Sequence, residues 1–341
     1  MPITSPNSPT LPVEILTQIF TLVTILDSGA SLRSLRRVSQ LFNDICIPLK
    51  FLSLSLTTAS SIEKLHQELQ RLENSPPHLR RIQHLYISLD ASDMQSESEL
   101  DTISQIFFTL QTAADTLQTL TFIYHNSPLS TSVIGRLFRE PLPVLTELTV
   151  HGFYPFPSPV PSNESDSFLS VHSLEMNQSC MPQLRRLHLS GSRNPHGLLQ
   201  LSSLDVCFPS LTHLRISGLL MAASFAEEMK GALEMRSDDI PEGTCGMLPC
   251  NRAILPSKLE SVVLQPGYAP MLDRSGVLAG SALKKDTRMM VQLKNIEEAA
   301  KRRRGVHVIV KDRMQDPARI PVGAVLYRDW LGRMNGDEGC W

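Results

Sequence analysis

LTELTV (145–150), LRRLHL (184–189) and LTHLRI (211–216) are three instances of one phrase, apolar-x-x-apolar-x-apolar, and IQHLYI (82–87), LQTLTF (117–122) and LESVVL (259–264) repeat it. The closing residues of each phrase alternate at the strand period of two, so every second side chain faces one side of a sheet. Proline stands before three phrases, at Pro143, Pro182 and Pro209. Turn residues follow four of them, as His151-Gly152, Ser190-Gly191, Ser217-Gly218 and Pro266-Gly267. The phrases start 27 to 48 residues apart, which leaves room for a helix between strands. Leu100, Ile103, Phe107, Leu110, Ala114 and Leu117 are spaced for such a helix, as are residues around Ala222 to Met235. The pattern predicts an α/β chain built on parallel strands.

Six such phrases in order resemble the leucine-rich repeat, in which each unit adds one strand to a curved parallel sheet. The resemblance implies an irregular solenoid whose outward strand positions form an open surface. Tyr86, Glu147, Arg186, His188, His213 and Arg215 hold such positions and are the candidate contacts for a protein target. His188 and His213 are expected on equivalent outward positions of neighbouring units, facing solvent rather than a metal. Two insertions, 153–168 and 235–252, are rich in proline and turn residues and predict exposed loops. The first carries Phe153, Tyr154 and Phe156.

The N-terminal stretch LPVEILTQIFTLVTILDSGASLRSLRRVSQLFNDICIPLKFLSL (11–54) has a different grain. Thr10 suits an N-cap, Pro12 the first turn and Glu14 the positive helix end. Leu11, Ile15, Leu16, Ile19 and Phe20 form an apolar stripe before the turn Asp27-Ser28-Gly29. Leu32, Leu35, Val38 and Leu41-Phe42 make a second stripe, opposite Arg33, Arg36 and Arg37, and Pro48 ends a third short helix. Ser60 and Glu63 then predict a capping box at the start of a further helix, which reads as a linker.

The order Leu-Pro, Glu, paired aliphatics, Leu-x-x-Leu and Val-Ser-x-x-Phe resembles the F-box of fungal, basidiomycete-type F-box proteins. Phe42 and Phe51 stand where many F-boxes have tryptophan, and the ending DWLGRMNGDEGCW (329–341) resembles the closing segment of such proteins. The resemblance implies that Leu11, Pro12, Ile15, Leu16, Ile19 and Phe20 contact a Skp-type adaptor, with Leu32, Leu35 and Val38 as second-helix contacts or core. It implies a substrate-recognition subunit of a Skp–cullin–F-box E3 ubiquitin ligase. Its partners would be that adaptor, the cullin-RING ligase behind it, and a protein substrate. The alternative is a leucine-rich-repeat interaction scaffold with no ligase role.

Composition narrows the field. The 341 residues carry 32 basic and 34 acidic side chains, a balance that favours neither nucleic acid nor a membrane surface as partner. No run of about 18 apolar residues exists to span a bilayer. The polar, proline-rich opening MPITSPNSPT has no signal-peptide pattern. Six dispersed cysteines fit free thiols in a reducing compartment, so a cytoplasmic or nuclear location is expected. No phosphate-cradling glycine loop, nucleophile elbow or HExxH motif appears. The expectation is a chain without catalytic residues, cofactor or metal.

Near the C-terminus, 282–304 predicts a charged helix closed by Lys301-Arg302-Arg303-Arg304-Gly305, a basic run that suits the helix C-terminus. VHVIV (306–310) predicts a strand, and 322–334 a last helix with Val325, Leu326, Trp330 and Leu331 that would cap the solenoid's open end. The expected fold is thus α/β: an N-terminal three-helix F-box, an irregular leucine-rich-repeat solenoid and a helical C-terminal cap. Its boundaries are a disordered tail at 1–10, the F-box-like unit at 11–56 and a linker helix at 57–78. The repeats occupy 79–270 and a helix-strand-helix cap 271–341.

Overall fold

The computed structural model describes residues 11–89, 99–125, 127–157, 179–200, 203–234, 253–269, 277–302, 305–315, 320–337 and 341. Each of the six apolar phrases leads into a strand: β2 (His84–Leu89), β3 (Thr119–Tyr124), β4 (Glu147–His151), β5 (Arg186–Ser190), β6 (His213–Leu219) and β7 (Ser261–Pro266). Two strands flank them, β1 (Ser53–Leu56) and β8 (His307–Val310). All eight form one parallel sheet in chain order, β1 to β8. Both edge strands are only four residues long, which limits the unpaired backbone that a sheet edge exposes.

Register turns the alternation into layers. Leu54, Leu85, Leu120, Leu148, Leu187, Leu214, Val262 and Val308 line up as one row across the sheet. Leu56, Ile87, Phe122, Val150, Leu189, Ile216, Leu264 and Val310 line up as another, two residues on. Both rows belong to the main core, with inward side chains of the connecting helices. Those helices are α4 (Ala59–Arg71), α5 (Glu99–Ala113), α6 (Ser127–Leu137), α7 (Ser203–Cys207), α8 (Ala223–Glu234) and α9 (Val277–Arg302). Ile62, Leu65 and Leu69 of α4 and Ile103, Ile106, Phe107 and Leu110 of α5 recur at helical spacing and are buried there.

Helix α4 starts two residues before the point expected from Ser60 and Glu63. Thr58 Oγ1 accepts from the Ser61 amide at 3.2 Å, and the Thr58 amide donates to Ser61 Oγ at 3.3 Å. Serine replaces the longer acid because its hydroxyl already reaches the cap amide.

Before the sheet come α1 (Val13–Leu26), the single turn α2 (Leu32–Leu35) and α3 (Gln40–Cys46). Pro12 opens α1, its carbonyl accepting from the amides of Ile15 and Leu16; Thr10 lies outside the described residues. Ser39 caps α3 by accepting from the Phe42 amide. These segments share a small core of Phe20, Leu32, Ile45, Cys46, Leu49 and Leu52, against which Phe42 sets its ring edge-on to Phe20 at 4.8 Å. A 3-10 turn, Ile47–Leu49, then leads directly to β1.

The last helix, α10 (Val322–Met334), lies on the sheet face opposite the other helices. Its Leu326 and Trp330 form a separate apolar cluster with Tyr86 of β2 and Ile123 of β3. The Tyr86 ring stands 5.0 Å from Tyr327 and 5.6 Å from Trp330, and its hydroxyl donates to the Gly323 carbonyl at 3.0 Å.

The expected three-helix F-box followed by a leucine-rich-repeat solenoid with a C-terminal cap is therefore corrected. The chain forms a single eight-stranded all-parallel sheet with interleaved helices, an α/β fold. The N-terminal segment expected to be helical supplies the edge strand β1, the expected strand within 306–310 joins the same sheet as its other edge, β8, and α10 crosses the second sheet face instead of closing an end. Parallel sheets generally carry cover on both faces. The second face is rich in Thr, His, Ser and Arg, so the sequence reads as solvent-facing although a helix lies on it.

Candidate functional site

Two surfaces bear on function: the outer side of α1 and the second face of the sheet. On α1, Phe20 and Thr24 turn inward while Ile15, Ile19, Leu22 and Leu26 turn outward, and Leu11, just before the helix, is exposed beside them. Steps of three and four residues make the outward set one stripe, and its members are 40–60% exposed. Val38 at 64% and Leu41 at 47% extend the exposed apolar surface of the N-terminal segment. Among the residues expected to contact an adaptor, Leu11, Pro12, Ile15, Ile19 and Val38 are exposed. Phe20 and Leu32 are core, with Leu16 and Leu35 packed on it. Leu22 and Leu26 are additions that the helical period alone would have supplied.

The second sheet face brings the expected target contacts together, but under cover. Tyr86, His188 and Arg215 are buried, at 2%, 0% and 6% exposure. His188 is therefore not the solvent-facing residue expected. Register sets His188 beside Arg215 and His213 beside Arg186, so the two histidines are not paired across neighbouring strands. The Trp341 ring stands near both, with centroids 6.5 Å from His188 and 6.1 Å from His213. Glu147 receives Arg186 at 3.1 Å and also the guanidinium of Arg333 from α10. Phe153 and Phe156 are exposed and Tyr154 is buried, while 158–168 and the whole of 235–252 lie outside the described residues. Arg303 and Arg304 of the basic run also lie outside them.

No protein-family model, curated protein or solved structure matches this chain.

Polar side chains on this face satisfy one another across strands. His84 Nδ1 lies 3.0 Å from Thr119 Oγ1, and His151 Nδ1 lies 3.0 Å from Ser190 Oγ. His188 Nε2 lies 2.8 Å from Ser217 Oγ, and Arg215 donates to Gln265 Oε1 at 2.7 Å. Ser190 and His151 invite comparison with a nucleophile–base pair, but the pair is poorly equipped. The ring beside His151 is His125, at 5.3 Å between centroids, and burial holds His151 at a pKa of about 4. A base that weak leaves the serine hydroxyl unactivated. Among the described residues, no group of three or more His, Cys, Asp or Glu could hold a metal ion.

Burial has a measurable consequence for stability. It lowers His84 to about 4 despite the charge of Glu147, and lowers His151 to about 4 with His125 adding to the effect. Burial first, then the charges of Arg215, His151 and Lys311, holds His188 well below the ordinary range. Above pH 6.5 these rings are neutral whether the chain is folded or not. Between pH 6.5 and 4 the unfolded chain takes up protons that the folded chain refuses, so stability falls with pH. One ring lowered from 6.5 to about 4 costs roughly 3 kcal/mol by pH 4. Urea midpoints should drop across that window, and a His84→Gln/His151→Gln double variant should show a shallower drop. An unchanged slope would mean that the two rings titrate normally in the fold.

A cavity of about 440 Å3 remains open beside α10, lined on the sheet by His188, Ser190, Arg215, Ser217 and Gln265. A second, of about 310 Å3, lies at the carboxyl ends of the strands, where Gly152, Gly191, Gly218 and Gly267 line it. The two share Ser190, Met314, Gln315 and Val322.

Proposed function

We propose that the chain is the substrate-recognition subunit of a Skp–cullin–F-box ubiquitin ligase, docking a Skp-type adaptor through α1 and the turn and short helices that follow it. The observation that carries this reading is the outward stripe of Leu11, Ile15, Ile19, Leu22 and Leu26. Its helix already has an inner face buried on Phe20, so the exposed aliphatics are not needed for the local core. A contiguous apolar strip of this kind on a protein surface marks a docking site. The order of residues from Leu11-Pro12 to Val38-Ser39, which resembles the F-box, says which partner fits. In this reading the protein target reaches the chain at the openings beside α10, since α10 occupies the neighbouring sheet face. Ubiquitin transfer is then a matter of proximity, with the chemistry supplied by other subunits.

The test is an adaptor pull-down with Ile15→Asp/Ile19→Asp. Each outward aliphatic contributes on the order of 1–2 kcal/mol when buried, and each new carboxylate adds a desolvation cost. Capture of a purified Skp-type adaptor should fall by about 100-fold or more, with the thermal midpoint unchanged because both side chains are exposed. Undiminished capture would overturn the reading. If the unaltered chain captures no adaptor at all, the ligase reading falls.

A further inference from the structure

Cys180-Met181-Pro182 and Cys207-Phe208-Pro209 stand at the same distance before β5 and β6. Register pairs Arg186 with His213, and the same offset sets Cys180 against Cys207. The offset holds back along the chain. The Thr212 amide donates to the Arg185 carbonyl at 2.9 Å, and one turn precedes each strand, closed by Leu184 on the Met181 carbonyl and Leu211 on that of Phe208. Met181 and Phe208 are both buried in the main core. Beside the cysteines, Ser179 Oγ accepts from the Met181 amide at 3.2 Å and donates to the Cys207 carbonyl, so one hydroxyl joins the two segments. Both thiols are free and half-buried, whereas Cys46 is buried in the N-terminal core. Neighbouring parallel strands lie about 4.8 Å apart, within the Cα separation of about 4.4–6.8 Å that a disulfide spans. Cys180 Sγ donates to the Arg139 carbonyl at 3.3 Å, a weak bond that a rotation about χ1 gives up. Burial pushes the Cys207 thiol up to about 11, and Cys180 beside it adds to the rise.

We propose that Cys180 and Cys207 form a reversible oxidation site, closing as an intramolecular disulfide by exchange with a low-molecular-weight disulfide. One cysteine thiolate attacks a sulfur of the small disulfide and expels the other sulfur as a thiolate. The partner cysteine then loses its proton to solvent and attacks the protein sulfur of the mixed disulfide, expelling the second small thiolate. Two electrons pass from the protein pair to the small disulfide. Thiols held above their ordinary range supply little thiolate at neutral pH, so the pair closes on prolonged oxidation and is not a fast sensor. The closed bond ties together the segments that lead into β5 and β6 and restricts the unfolded chain. The site does not depend on adaptor docking.

The test incubates the full chain, without adaptor, with oxidised glutathione, alkylates the thiols that remain and maps the peptides by mass spectrometry. The fold holds the two thiols at a high effective concentration, so the Cys180–Cys207 linkage should exceed any other by about tenfold or more. Dithiothreitol should reverse it, and oxidation in urea should abolish the selectivity. The urea midpoint of the linked chain should lie above that of the reduced chain. Cys180→Ser and Cys207→Ser should each remove the linkage and the gain in midpoint, leaving the remaining cysteine of the pair as its glutathione adduct. Adducts at both cysteines without the linked peptide, preferred linkage of either one to Cys245, Cys250 or Cys340, or no oxidation of the folded chain would overturn the proposal. A linked chain with a lower midpoint would also overturn it, because the bond would then be pulling apart segments that the fold does not hold side by side. None of these outcomes bears on adaptor capture, so the two readings fail separately.

Discussion

Gly191→Ala is expected to destabilise the fold by roughly 3–5 kcal/mol, a large part of a typical domain's 5–15 kcal/mol. Gly191 has φ +104°, where a side chain is strained, and a Cβ built there would sit 2.6 Å from the Gly152 carbonyl oxygen and 2.7 Å from the Gly152 nitrogen. Those neighbours are backbone and cannot rotate away. Gly152 is itself fixed, donating its amide to the Ser190 carbonyl at 3.0 Å, with φ +148° and its own Cβ position 2.5 Å from Ser130 Oγ. Backbone strain of about 1–3 kcal/mol and overpacking of about 1–3 kcal/mol therefore combine at one site. Gly305→Ala separates the two terms. Its φ of +128° carries the strain, but among the described residues nothing lies within 4 Å of the new methyl, so only about 1–3 kcal/mol is expected. Urea unfolding of both variants makes the comparison. Equal losses would mean that the strand ends spread to admit the methyl and that the glycines do not pack as closely as described.

That contact shows what the sequence could and could not convey. Ser190-Gly191 and His151-Gly152 are legible as turns, because glycine after an alternating run marks a strand end. That the two turns touch is a product of register, which brings His151 beside Ser190 and has no local signature. The same limit applied to β1: Ser53–Leu56 is short, has no proline before it, and lies just after a helix-rich stretch. On the second sheet face, Thr121, Thr149, His188 and Arg215 have the polarity of a solvated surface. Their cover, partial for Thr149, depends on α10 arriving from about 110 to 200 residues further along the sequence, with His188–Ser217 and Arg215–Gln265 pairs absorbing the polar groups. Leu326 and Trp330 announced an apolar helix face in the sequence but not its address. On α1 the reverse held. An apolar stripe was legible from spacing, but that reading joined the outward Ile15 and Ile19 to Leu16 and the buried Phe20 and left out Leu22 and Leu26.

The position of α10 leads to the other large effect. Trp330→Ala should free α10 from the sheet while leaving the sheet folded. Trp330 is 4% exposed and packs on Tyr86 and Tyr327, while its indole Nε1 has no hydrogen-bond partner. The substitution therefore removes contact area and a ring stack without orphaning a polar group. Truncating a buried tryptophan costs about 3–5 kcal/mol. This cost falls on a cluster of four buried residues, Tyr86, Ile123, Leu326 and Trp330, which is distinct from the main core. What remains to hold α10 is Leu326 on Tyr86 and Ile123, the Tyr86–Tyr327 ring contact, Arg333 on Glu147 and the Tyr86 hydroxyl on the Gly323 carbonyl, with the two polar contacts worth about 1–3 kcal/mol each. Amide hydrogen exchange over Val322–Met334 should accelerate by about 100-fold or more, with exchange in β3 to β6 unchanged. Parallel loss of protection in helix and sheet would show instead that α10 and the sheet unfold as one cooperative unit. In that case the polar second face is as much interior as the leucine rows on the other side, and a partner could meet it only at the cavity mouths.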